Sequence, residues 1–84
     1  MNIEEQQRII EMGRNAEALK KNPALEACMS QTLEDLFVKW VSTGPDEYPE
    51  RDQLWATAQA LNAFKTTIDA FIEAGDFERK YKES

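Results

Sequence analysis

The sequence has no histidine and only one cysteine, Cys28. Histidine is the usual general base and the commonest metal ligand, so acid–base and nucleophilic catalysis lack their main components. One cysteine cannot close a disulfide within the chain, and a zinc site would need that thiolate plus carboxylates. We therefore expect no enzymatic activity, no metal and no cofactor. Cys28 lies next to the apolar face of a predicted helix and is expected to be a small buried residue.

Long hydrophobic runs are also missing. No stretch approaches the roughly 20 apolar residues of a membrane span. The acidic start, Met1-Asn2-Ile3-Glu4-Glu5, is unlike the basic start of a secretory signal. A lone cysteine without an export signal suits a reducing compartment. These absences predict a cytoplasmic protein with no membrane partner.

Positive charge is scarce. Ten lysines and arginines stand against 16 acids, which gives a net charge of −6. Binding to a phosphate backbone needs a basic surface, so nucleic acid is not an expected partner. A three-helix DNA-binding regulator would need a basic reading helix, and the third predicted helix has only Arg51 and Lys65. The acidic surface is explained by solubility, or alternatively by nucleic-acid mimicry in an inhibitor of a host nucleic-acid enzyme.

Prolines and glycines divide the chain into helix-length segments. Asn22-Pro23 is typical of a helix N-cap followed by a first-turn proline. Gly44-Pro45 ends the next helix, and Pro49 begins another. Gly75 resembles a C-terminal cap. The predicted helices cover about residues 2–20, 23–42 and 49–74, and a charged tail, 76–84, adds a short helical turn or frays.

Apolar residues recur at steps of three and four in all three segments, as amphipathic helices require. Helix 2 has the clearest stripe: Leu25, Met29, Leu33, Leu36 and Trp40. Helix 1 has a thin stripe: Ile9, Met12, Ala16 and Leu19. Helix 3 has an inward face: Leu54, Ala58, Leu61, Ile68, Phe71 and Ile72. Gly13 interrupts helix 1, where it either lets another backbone approach or marks a kink.

The short turn between helices 2 and 3 predicts that they pack antiparallel. Trp40 and Trp55 would then lie close together at the turn and dominate stability. Arg51, one helical turn before Trp55, would stack on its indole or pair with an acid of the turn. A unit of this size cannot easily bury all its aromatic residues, so this end is also a candidate interface. The candidate interface residues are Phe37, Trp40, Tyr48, Arg51 and Trp55.

These patterns predict an all-α fold: three helices in one domain, 1–84, built on an antiparallel helical hairpin. A chain of 84 residues buries only about 60–65% of its unfolded surface, so its core is modest. With no disulfide and no metal, self-association or docking on a larger protein would complete it.

Part of the sequence resembles a known class of proteins. The pattern runs over about two-thirds of the chain, from Asn22-Pro23 to Gly75. Its intervening elements are Leu33, Trp40, Thr43, Asp46, Arg51, Leu54-Trp55 and Ala60-Leu61. It is similar to small helical accessory proteins encoded among the head and packaging genes of tailed bacteriophages. The resemblance implies a non-enzymatic interaction or assembly protein in the host cytoplasm or virion, with a phage structural or host protein as partner and no cofactor.

Overall fold

The computed structural model describes residues 2–83, with side chains characterised up to residue 81, and these residues form three α-helices and no strand. The helices are α1 (Ile3–Lys21), α2 (Pro23–Ser42) and α3 (Tyr48–Glu83). The all-α, three-helix prediction is confirmed. The bounds of α1 and α2 lie within one residue of those expected from the sequence.

One residue, Asn22, both ends α1 and begins α2. Its backbone N–H donates to the carbonyl of Leu19 at 3.1 Å, which closes the last turn of α1. Its side-chain oxygen accepts from the N–H of Ala24 at 2.9 Å, which caps α2. Pro23 follows at the first helical position, where its missing N–H costs no hydrogen bond. The helix is therefore interrupted between α1 and α2 without a loop.

The reversal between α2 and α3 takes five residues, 43–47. The Thr43 hydroxyl donates to the Trp40 carbonyl at 2.6 Å and ends α2. The Gly44 N–H donates to a carboxylate oxygen of Glu47 at 3.0 Å, and the Glu47 N–H donates to the Gly44 carbonyl at 3.1 Å. These bonds satisfy backbone groups that the helix ends leave without partners. The turn is therefore short and internally bonded.

Gly75 does not end the third helix, so its assignment as a cap is wrong. The helix continues through it for 36 residues to Glu83. Phe77 and Tyr81, both in the predicted tail, stack with ring centroids 6.4 Å apart, as expected if that segment is helical. The final tail residue, Ser84, lies outside the described residues. At about 1.5 Å per residue α3 is about 54 Å long, which accounts for the 57 Å length of the molecule.

Helices α1 and α2 follow one another along α3, and both run antiparallel to it. Gln6 donates to the carboxylate of Glu78 at 3.3 Å, and Lys20 donates to Asp69 at 2.7 Å. Helix α1 therefore lies against the C-terminal half of α3. Helix α2 lies along the N-terminal half, and at its end Trp40 contacts Arg51. The molecule is a long helical hairpin with one arm broken at Asn22.

The tightest contact in the hairpin is between Gly13 of α1 and Gly75 of α3. A methyl group built on Gly13 would lie 2.8 Å from the Gly75 Cα and 2.9 Å from the Phe71 carbonyl oxygen. One built on Gly75 would lie 2.9 Å from the Gly13 Cα. Only glycine allows the two backbones to come this close. Close approach, and not a kink, is therefore the role of Gly13.

Burial is concentrated in the α1 half of the hairpin. The buried apolar residues are Ile10, Ala16 and Ile68, and the two glycines are buried with them. The most extensive helix contact joins α1 to α3. The expectation that the aromatic end of α2 and α3 forms the main core is therefore wrong. Large side chains hold α2 away from α3, whereas the glycine pair lets α1 come close.

Candidate interaction surface

The five residues predicted to form an interface divide into two groups. Phe37, Tyr48 and Trp55 are exposed, with 65%, 67% and 60% of their surface open to solvent. Trp40 and Arg51 are half-buried. The structure thus brings two of the five together at the turn and leaves three aromatic rings uncovered.

Arg51 links the start of α3 to the end of α2 and to the turn. Its guanidinium carbon lies 4.8 Å from the centre of the Trp40 ring, within range of a cation–π interaction. Its Nε donates to the Thr43 hydroxyl at 2.8 Å. The predicted stack on Trp55 and the predicted pairing with a turn acid are both replaced by these contacts. Trp40 lies in the last turn of α2, opposite the first turns of α3, whereas the Trp55 indole is exposed.

A cleft of about 250 Å³ opens between α2 and α3, near the junction with α1. Its apolar residues are Leu25, Met29, Leu33 and Ile68. Its rim carries the Lys20–Asp69 ion pair, whose nitrogen and oxygen lie 2.7 Å apart. The hydrogen bond and the negative charge of Asp69 raise the pKa of Lys20. The cleft is therefore an apolar depression with a charged edge.

Phe37 and Trp55 lie on the same side of the hairpin as this cleft. Phe37 follows the cleft residue Leu33 by four positions, close to one helical turn. Trp55 precedes the rim residue Asp69 by fourteen positions, close to four whole turns, so both occupy the same edge of α3. We call this side the open face and define it by the cleft, Leu33, Phe37 and Trp55.

Two facing segments of the α2–α3 half carry no charge. Residues 55–64 of α3 and 27–33 of α2 contain no Asp, Glu, Lys or Arg, although 31% of the chain is charged. Nearly all residues of these two segments are exposed or half-buried. We call them the uncharged belt. The belt is visible in the sequence as two stretches without charge, but the predicted interface residues rested on aromatic side chains and did not include it.

Cys28 lies within the belt and is exposed, so the expected burial is wrong. The side of α2 that meets α3 carries Leu25, Met29 and Trp40, and the residue before Met29 falls off that contact. The described residues contain no group of three or more His, Cys, Asp or Glu placed to hold a metal ion. A second depression, at the turn end, has a largely polar lining that includes Lys39, Glu47 and Glu50.

Comparison with known proteins gives no match: no family model, no curated protein and no solved structure is similar to this chain at a significant level. Within the described part of the chain, none of the helices combines the length and apolar character that crossing a membrane requires.

Proposed function

We propose that this chain is a non-enzymatic interaction or assembly protein, which acts by placing its open face against another protein surface. The observation that carries the proposal is the amount of surface left uncovered. The structure exposes 6635 Å², whereas a compact monomer of 9.7 kDa exposes about 5,100 Å². A partner that covered the open face would remove much of this excess.

The character of that surface supports a protein partner. Interface centres are depleted in charged residues and enriched in aromatic ones. The open face carries two exposed aromatic rings, Phe37 and Trp55, beside the uncharged belt, and the charged residues of the cleft lie around its edge. An apolar cleft beside them offers a place for an inserted side chain. Apolar clefts of this kind are typical of helix and side-chain docking.

The resemblance to phage accessory proteins supports a narrower form of the proposal, in which the protein serves virion assembly in a host cell. The alternative function is an acidic inhibitor that mimics nucleic acid. The acids of α1 and α3 are interleaved with bases and, among the described side chains, form three ion pairs with them, which disfavours a single negative face. The assembly function is therefore the one we propose.

Affinity capture from the source cells tests the proposed function with a matched pair of variants. Phe37→Ala and Phe77→Ala remove the same ring from sites of nearly equal exposure, 65% and 66%, but Phe77 lies in the α1 half, about 33 Å along α3 from Trp55 and beyond the cleft. We expect the wild-type chain and Phe77→Ala to capture the same protein and Phe37→Ala to lose it. Equal capture by both variants would contradict the proposal.

A further inference from the structure

We infer that the open face is covered by a second copy of this chain, in a two-fold symmetric dimer that seats Trp55 of each copy in the cleft of the other. This inference rests on the proposed function and names its partner. Three features support it: the uncovered area, the position of the uncharged belt, and the spacing between Trp55 and the cleft.

The uncovered area matches what an obligate dimer needs. The excess over a compact monomer is about 1,500 Å² per chain. If two copies cover it on each other, the interface totals about 3,000 Å², within the range of about 2,000–5,000 Å² for obligate homodimers. The elongated shape agrees, because the radius of gyration is 17.9 Å against about 12 Å for a compact domain of this length.

The uncharged belt lies where a two-fold axis would cross the molecule. Residues 55–64 lie in the first half of α3, just before its midpoint, and residues 27–33 of α2 lie opposite them. Each chain carries a charge of −6, so two copies repel unless their contact avoids charged positions. At the belt no acid faces another across the interface.

Trp55 and the cleft are spaced for reciprocal insertion. Trp55 precedes the rim residue Asp69 by fourteen positions, which is about 21 Å along α3. A two-fold axis midway between them passes through Asn62 and brings Trp55 of one copy over the cleft of the other. The same operation fills the second cleft, because an isologous contact repeats every interaction twice. The apolar cleft residues Leu25, Met29 and Ile68 suit an indole ring.

Light scattering coupled to size-exclusion chromatography, over a wide range of concentration, measures the association directly. We expect the mass to rise from 9.7 kDa to twice that value and no further. Trp55→Ala and Phe37→Ala should each weaken association by at least about tenfold, as interface hot spots do, while Phe77→Ala leaves it unchanged. Circular dichroism checks that each variant remains helical.

A cysteine at the proposed axis tests the geometry. In a Cys28→Ser background, Asn62→Cys places a thiol opposite its own copy, so oxidation should link two chains rapidly. The control Gln7→Cys places an exposed thiol on α1, far from the axis, and should link slowly. Equal linking of both variants would overturn the two-fold arrangement.

These experiments distinguish a failure of the proposed dimer from a failure of the proposed interaction function. A mass of one chain at every concentration, or association insensitive to Trp55→Ala, would overturn the dimer. If the chain stays monomeric and Phe37→Ala still abolishes capture of a different protein, the interaction function stands with another occupant. If the variants alter neither capture nor mass, both proposals fail.

Discussion

The two halves of the hairpin are built on opposite principles. In the α1 half, Gly13 and Gly75 remove side chains from the crossing, so backbones meet and Ile10, Ala16 and Ile68 become buried around them. In the α2 half, large side chains separate the helices, and no residue of α2 is buried. Close helix packing in this molecule therefore comes from small residues, whereas the larger apolar residues remain available to a partner.

The largest expected effect is at the glycine crossing. Gly13→Ala raises helix propensity by about 1 kcal/mol, but its methyl group would meet two backbone atoms of α3 at less than 3.0 Å. Neither atom can move without displacing α3, so we expect a net loss of about 2 kcal/mol in the free energy of unfolding. Urea denaturation measures it.

Gly44→Ala is the matched control. A methyl group there meets only the flexible side chain of Glu47, at 3.9 Å, and Gly44 has no positive φ. We expect unchanged or slightly increased stability, because alanine restricts the unfolded chain. If Gly13→Ala proves as neutral as Gly44→Ala, the tight crossing is not the basis of the α1 half.

A smaller effect is expected at the turn end of the α2 half. Trp40→Ala removes a half-buried indole and the surface on which Arg51 stacks. Burial of this extent is worth about 1.5 kcal/mol, below the loss of about 3–5 kcal/mol for a core tryptophan. Urea denaturation decides between the two values. A loss in the core range would show that the aromatic end is a second core.

The smallest effect concerns the ion pair between Lys20 and Asp69, which joins the α1 half to the cleft rim. The partner carboxylate raises the pKa of Lys20 above its ordinary value. Its contribution is therefore complete below the pKa of lysine in the unfolded chain and is lost as pH rises through the higher folded-state value. Both side chains are exposed, so salt screens the pair.

Thermal unfolding of Asp69→Asn at low and high salt measures this contribution. We expect a slight destabilisation that disappears when salt is added. Asp46→Asn, in the acid-rich turn, is the control and should show no salt-dependent destabilisation. A large loss of thermal stability in Asp69→Asn that does not change with salt would mean that Asp69 acts through packing.

Local signals predicted the elements well and their packing poorly. Asn2, Asn22 and Pro23 carry their capping chemistry in their own side chains, so the starts of α1 and α2 followed from the sequence. Gly75 was wrongly predicted to be a helix cap. A glycine that ends a helix and a glycine at a helix crossing have the same local sequence pattern, and only the position of the partner glycine distinguishes them. Gly13 and Gly75 lie far apart in the sequence, so no local pattern shows that they contact each other.

The interface prediction had a similar limit. Phe37, Tyr48 and Trp55 were candidate interface residues at an end where helical spacing favoured burial, and all three are exposed. Helical spacing alone could not tell which aromatic ring α3 would cover, and Arg51 was paired with the wrong tryptophan. Which residues share a face depends on the register between α2 and α3, and that register is set by the bonds within residues 43–47.

Hydrogen exchange at two protein concentrations tests the contrast between the halves most directly. At low concentration we expect the amides of α1 and of α3 around Gly75 to be protected and those of α2 to exchange fast. At high concentration residues 27–33 and 55–64 should gain protection while the α1 half stays unchanged. Strong protection of α2 at the lowest concentration, or exchange of α1 as fast as that of α2, would contradict the account.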